Sequence, residues 1–113
     1  MNFFFFGDGA WATLSLQRLL SDGHHALGVI LRRKPSDASL STLAAELSLP
    51  THQPKSVNAD EFVRQVCQLS PDLNISFAYD QILRAPIVRS ARLGFINCHA
   101  GALPAYRGRN VVN

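Results

Sequence analysis

Two hydrophobic patterns alternate along this chain. Short, almost continuous apolar runs at residues 3–6, 26–31 and 93–98 are typical of strands that are buried in a sheet. Residues 73–78 alternate between apolar and polar side chains and predict a further strand, while residues 51–53 predict at best a short one. The sequence therefore predicts five strands.

The segments between these strands carry apolar residues at helical spacing. One helix follows the turn Gly7-Asp8-Gly9, and Gly23 is expected to cap its end. Residues 82–88 predict a loop with a short helical piece. Asp37 or Ser39 is expected to cap the start of the second helix. Asn58 or Asp60 is expected to open the third helix, which carries Cys67 in the core. This alternation predicts an α/β fold with a parallel sheet and helices on both faces.

Composition narrows the class of protein without naming one. The chain has 113 residues, enough for one small domain, and 47% of them are hydrophobic. Its net charge of +3 is too small to favour a nucleic-acid binder, and the basic run Arg32-Arg33-Lys34 suits an anionic small ligand. Two cysteines at no metal spacing predict a reducing cytoplasm and no metal site. The apolar N-terminal segment, residues 1–6, is too short to span a membrane.

The turn after the first strand has two interpretations. Gly7, Gly9 and Ala12 match a loose dinucleotide-binding fingerprint, in which the start of the helix holds a pyrophosphate. The acidic residue that such sites usually carry after the second strand is replaced by Arg32 and Arg33. The alternative is a plain glycine turn in a relative of the nucleotide-binding folds.

The end of the fifth strand carries the strongest candidate chemistry. Asn97 and His99 lie two residues apart, so an extended chain would project both side chains to one face. An imidazole that titrates near neutral pH beside an amide donor suggests acyl-type transfer. Two alternatives remain: Cys98 acting as a nucleophile, although alternation turns it away from that face, and a polar strand end that only caps the next turn.

The residues that follow extend this pair into a longer motif. Asn97-x-His99, then Leu103-Pro104-x-Tyr106-Arg107-Gly108, resembles the signature of the 10-formyltetrahydrofolate-dependent formyltransferases. Gly101 stands where that signature usually has serine, and the stretch ending in Arg107-Gly108-Arg109-Asn110 looks most like the sugar-nucleotide N-formyltransferases. The resemblance covers essentially the whole chain. Within it, residues 70–83 look like the family's fourth strand and the folate-binding segment that follows. It implies a Rossmann-like three-layer fold with a mostly parallel sheet, over residues 1–113.

The resemblance also implies roles for individual residues. His99 would be the catalytic acid/base, and Asn97 would stabilise the oxyanion. The backbone of Gln81, Ile82 and Leu83 would hold the pterin ring of 10-formyltetrahydrofolate. Arg109 matches a cofactor-contacting arginine. The loop at Arg32-Arg33 is expected on the substrate side.

The resemblance also implies a third catalytic residue, an aspartate on a loop well downstream of the histidine. The sequence ends at Asn113, before such a loop. The chain is therefore expected to be the amino-terminal part of a formyltransferase, with little activity alone. The expected acceptor is an amino sugar on a nucleotide carrier, because the connection after the second strand is short, whereas tRNA-binding members carry a longer basic insertion there. The alternatives are methionyl-tRNA and a non-catalytic nucleotide-binding module. A cytoplasmic protein is expected, with no membrane partner, and a homodimer is considered.

Overall fold

The structure is a computed structural model that describes residues 1–98. Five strands form one parallel sheet in the order β3-β2-β1-β4-β5. The strands are β1 (Asn2–Gly7), β2 (His25–Leu31), β3 (Thr51–His52), β4 (Asn74–Phe77) and β5 (Phe95–Cys98). The helices are α1 (Gly9–Ser21), α2 (Ser39–Glu46), α3 (Asp60–Gln68) and α4 (Ala85–Val88). The predicted α/β, Rossmann-like architecture is confirmed.

Strand β1 lies at the centre of the sheet because it is the most apolar. Its four consecutive phenylalanines point alternately to the two faces, and each is at most 2% exposed. Phe3 and Phe5 pack with α1 and α2, whereas Phe4 and Phe6 pack with α3 and α4. These two clusters make the three layers of the domain.

The ring of Phe6 shows how the second cluster is joined together. It makes edge-on contacts with Phe62 of α3, Tyr79 beyond β4 and Phe95 of β5, with centroids 6.3, 5.7 and 5.0 Å away. One side chain thus links a helix, a loop and a second strand.

Helix ends follow local backbone chemistry. Gly23 adopts φ +95° after α1, and the amides of Gly23 and His24 donate to the carbonyls of Leu20 and Leu19. This is a Schellman motif, and the predicted glycine cap is confirmed. At α2 neither predicted residue is the N-cap, which is Ala38. Asp37 instead accepts the amide and the hydroxyl of Ser39, one residue further out.

Two local predictions were wrong. Cys67 is exposed rather than buried, because α3 turns Phe62 and Val66 towards the sheet and Cys67 away from it. The fifth strand begins at Phe95 rather than at residue 93, since Gly94 adopts φ +81° in a turn that leaves Leu93 exposed. In the described part of the chain, no helix is long and apolar enough to cross a membrane.

Gly7 is a position where no side chain fits. A Cβ there would lie 2.7 Å from the ring of Phe5 and 3.2 Å from the carbonyl oxygen of Phe77. We predict that Gly7→Ala lowers the free energy of unfolding by about 3 kcal/mol, because the added methyl group overpacks the core. Gly23→Ala is the control: a Cβ there meets no atom within 4 Å, so only the left-handed backbone is penalised, by about 1 kcal/mol. Urea unfolding measures both, and equal losses would contradict the packing argument.

Candidate functional site

The carboxyl ends of four strands lie in one row. Strand pairing sets Leu31 beside Gly7, Gly7 beside Phe77, and Phe77 beside Cys98. The chain therefore leaves the sheet at the same edge after each of these strands. In open α/β sheets this edge is where ligands bind, so the loops that leave it are the candidate site.

Asp8 joins the first two of these loops. Its side chain is buried, and its two carboxylate oxygens accept the amide of Ser36 at 2.9 Å and the hydroxyl of Ser36 at 2.6 Å. A guanidinium nitrogen of Arg32 lies 3.5 Å from the same carboxylate. A buried carboxylate needs such partners, so the positions of Ser36 and Arg32 are tied to Asp8.

Arg32 extends this cluster to the end of β4. Its Nε and Nη2 atoms both donate to the carbonyl oxygen of Ala78, at 3.0 and 2.6 Å. Ala78 has φ +59°, a left-handed conformation that a residue with a Cβ seldom adopts. The arginine therefore holds the turn through which the chain passes from β4 into residues 79–84. Its guanidinium is engaged with the protein itself, whereas Arg33 beside it is exposed.

The Asp8 carboxylate disfavours the dinucleotide interpretation of the glycine turn. It lies at the N-cap of α1, where a pyrophosphate would have to bind, and like charges repel strongly in a partly buried site. Ser36 also lies 3.6 Å from the position that a Cβ on Gly9 would take. The turn is occupied by the protein's own side chains.

Further hydrogen bonds fix the position of residues 78–84. The hydroxyl of Tyr79 donates to the carbonyl of Leu31 at 3.1 Å, and burial raises the pKa of this phenol, so it remains a donor. The side-chain amide of Gln81 accepts the amide of Val57 at 2.8 Å and donates to the carbonyl of Pro54 at 3.3 Å. The side chain of Gln81 is thus committed to the neighbouring loop, which leaves its backbone for other partners.

The backbone of Ile82 and Leu83 is open on one side. Among the described residues, neither amide N–H has a hydrogen-bond partner, and the carbonyl of Leu83 also has none. The side chain of Leu83 packs against the Phe6 cluster, while that of Ile82 is 76% exposed. The segment therefore presents unpaired backbone groups on a fixed chain.

A cleft of about 420 Å³ adjoins this segment. Its lining includes the cations Arg33, Lys55 and Arg84 and the single anion Asp80. None of these four forms an ion pair with another described residue. The cleft is therefore electropositive and suits an anionic ligand. No group of metal-ligating side chains occurs in residues 1–98.

Asn97 lies near the carboxyl end of β5, where it pairs in register with Ser76 of β4. It is partly buried and stands at the same edge of the sheet as residues 78–84. His99 and Arg109 lie outside the described residues. The shared face of Asn97 and His99 therefore stays a prediction, as do the roles of all the predicted site residues.

Asn58 was missed as a site residue by sequence reasoning, which considered it only as a helix start. Its side chain bonds to two backbone groups of the segment 82–84. A single sequence carries no signal for such a contact, because the two partners are more than twenty positions apart.

We predict that Cys98 reacts more slowly with a thiol reagent than Cys67 does. Burial raises the pKa of the Cys98 thiol, so less of the reactive thiolate is present at neutral pH, whereas Cys67 is exposed. Alkylation at pH 7.5, followed site by site with mass spectrometry, measures this difference. Faster labelling of Cys98 would instead favour the nucleophile interpretation.

We also predict that Arg32→Lys lowers the free energy of unfolding by about 1–2 kcal/mol. A lysine cannot donate twice to the carbonyl of Ala78 while it also faces Asp8. Arg33→Lys is the matched control and should change stability by less than about 0.5 kcal/mol, because Arg33 is exposed. Chemical unfolding of the two variants tests this, and an equal effect would show that the bonds to Ala78 contribute nothing.

Comparison with known proteins identifies the family. The family model described as formyl transferase matches residues 1–113. Methionyl-tRNA formyltransferase of Mycolicibacterium gilvum is 33% identical over 96% of the chain, which covers 38% of that relative. The methionyl-tRNA formyltransferase of Mycobacteroides abscessus is 34% identical over 96% of the chain, which covers 38% of that relative. That of Clostridioides difficile is 31% identical over the whole chain and 39% of the relative.

The chain thus spans less than two fifths of the length of these curated relatives. The family match covers every residue, and the parallel α/β sheet agrees with it. The chain belongs to the formyl transferase family.

Proposed function

We propose that the protein that contains this chain transfers a formyl group from 10-formyltetrahydrofolate to a primary amine. The observation that carries the proposal is the family match over residues 1–113, together with a preorganised segment, residues 78–84, at the carboxyl edge of the sheet. The curated relatives favour methionyl-tRNA as the acceptor.

The backbone of residues 81–83 suits the donor's pterin ring. A pterin presents hydrogen-bond donors and acceptors along one edge, and Ile82 and Leu83 offer two unpaired amide N–H groups and one unpaired carbonyl. Pairing through the backbone fixes the ring without a charged side chain. When bound, the donor supplies an activated formyl group. Arg109 is proposed as a further contact to it, from the resemblance alone.

Asn97 and His99 are the proposed catalytic residues. The attacking amine would form a C–N bond to the formyl carbon while the bond from that carbon to N10 of the folate breaks. His99 would take the proton that the amine loses and return it to N10. Asn97 donates its side-chain amide to the formyl oxygen as negative charge develops there. The position of Asn97 beside β4 supports this role, because it brings the amide to the edge that carries residues 78–84.

The amino-sugar acceptor that the motif predicted is not supported by the curated relatives compared above, which are named methionyl-tRNA formyltransferases. One observation still favours a small acceptor. The connection between β2 and α2 has only seven residues, Arg32 to Ala38, and Asp8 ties it down at Ser36. A nucleotide-linked amino sugar is therefore the second candidate.

Formyl transfer from 10-formyltetrahydrofolate by the complete protein tests the proposal. The two acceptors, methionyl-tRNA and a nucleotide-linked amino sugar, are assayed in parallel. We predict turnover with one of them, and a loss of about 100- to 1,000-fold in kcat for Asn97→Ala, because an oxyanion donor is removed.

His99→Ala should lose at least as much, whereas Cys98→Ala, the control between the two, should keep kcat within about threefold since it touches no reacting atom. Absence of folate-dependent transfer to either acceptor, with binding of a nicotinamide dinucleotide instead, would contradict the proposal and favour a nucleotide-binding module. Equal activity of wild type and Asn97→Ala would remove Asn97 from the mechanism.

A further inference from the structure

The side chain of Asn58 forms a two-point contact with the backbone around Leu83. Its Nδ2 atom donates to the carbonyl of Ile82 at 2.7 Å, and its Oδ1 atom accepts the amide of Arg84 at 2.9 Å. A single side-chain amide thus satisfies the backbone groups on both sides of one residue. Both distances are within the normal range for strong bonds of this type.

The contact is reciprocal. Asn58 belongs to the loop 54–58, which follows β3, and this loop receives two bonds from Gln81 at its own backbone. Four side chain–backbone hydrogen bonds therefore join residues 54–58 to residues 81–84. The amide of Asn58 itself donates to the hydroxyl of Ser56 at 3.1 Å, so the start of the contact is also anchored.

Little else fixes the backbone at this point. Ile82 is 76% exposed, and Arg84 forms no ion pair with a described residue. The bonds of Arg32 act upstream, at Ala78, and helix α4 begins only at Ala85. Gln81 holds the residue before Ile82 through its side chain, and the carbonyl of Arg84 accepts the amide of Val88 in α4. Between these anchors, the position of Ile82 and Leu83 depends on the side chain of Leu83 and on Asn58.

By bonding to two backbone groups of residues 82–84, Asn58 determines which of the other backbone groups stay available to a ligand. The carbonyl of Ile82 and the amide of Arg84 are used, whereas the amides of Ile82 and Leu83 and the carbonyl of Leu83 are unpaired among the described residues. The unpaired set is the one that a planar heterocycle with donors and acceptors on one edge would need. Fixing it before the ligand arrives lowers the ordering cost of binding.

We propose that Asn58 is the positioning residue for the folate donor: it holds the backbone of residues 82–84 in the conformation that binds the pterin ring. This inference rests on the proposed function. Asn58 acts through the backbone and need not touch the donor or the reacting atoms. Its loss should therefore weaken donor binding and leave the chemical step nearly unchanged.

The first test is the affinity of the complete protein for a stable 10-formyltetrahydrofolate analogue, measured by calorimetry. We expect Kd to rise roughly tenfold in Asn58→Ala, which loses both bonds. Asn58→Asp should show a similar rise, because a carboxylate keeps the bond to Arg84 but faces the carbonyl of Ile82 with another acceptor. Gln53→Ala is the matched control: it removes a side-chain amide bond between loops, from Gln53 to the carbonyl of Arg32, away from residues 82–84. Its Kd should not change.

Two further readouts separate positioning from general stability. In steady-state kinetics, KM for the donor should rise about tenfold in Asn58→Ala, while kcat and KM for the amine acceptor stay within about twofold. Without any ligand, hydrogen exchange should become faster in residues 81–84 of the same variant and remain unchanged in β1 and α1.

The outcomes are distinct for the two proposals. If the wild type binds the analogue and Asn58→Ala binds it equally well, Asn58 is not a positioning residue although the proposed function stands. The inference is also overturned if affinity falls in proportion with melting temperature for Asn58→Ala and Gln53→Ala alike, since the contact would then be only structural. If the wild type does not bind the analogue at all, the proposed function fails and the inference fails with it.

Discussion

The arrangement of this domain depends on one buried carboxylate and the arginine beside it. Asp8 follows the central strand, and it holds Ser36 and Arg32 of the next loop through its two oxygens. Arg32 in turn holds the carbonyl of Ala78. The ends of β1, β2 and β4 are thereby joined by polar contacts at the one edge of the sheet where the apolar core cannot reach.

A second set of contacts continues from the first. Beyond Ala78, the hydroxyl of Tyr79 reaches β2, and Gln81 and Asn58 join two loops. Residues 79–84 are consequently fixed by hydrogen bonds from several elements although much of the segment is exposed. A loop held in this way can present unpaired backbone groups to a ligand at a low entropic cost. The left-handed backbone at Ala78 is stabilised by the two bonds from Arg32 to its carbonyl.

Much of the fold follows from patterns that a sequence displays directly. The run of four phenylalanines predicted a buried strand, and the structure places it at the centre of the sheet. Gly23 predicted the end of α1 because a Schellman cap has a local cause. Local signals were weaker at Cys67, whose side of the helix is set by how α3 packs on the sheet. The contacts of Arg32 and Asn58 left no pattern at all, since each joins residues that are far apart in the chain. For the candidate site, the sequence could therefore suggest which residues to consider and that they lie at the carboxyl edge of the sheet. It could not show which contacts hold the loops at that edge in place.

The central claim is that the folate donor binds to the backbone of residues 81–83. Titration of the complete, isotopically labelled protein with a stable 10-formyltetrahydrofolate analogue, followed by backbone amide NMR, tests it most directly. The account predicts that the amides of Ile82 and Leu83 show the largest shifts, with saturation at a common Kd, because both are unpaired among the described residues and face the proposed donor site. Shifts confined to Gly9, Ala10 and Trp11 at the start of α1, with none in residues 81–83, would contradict it.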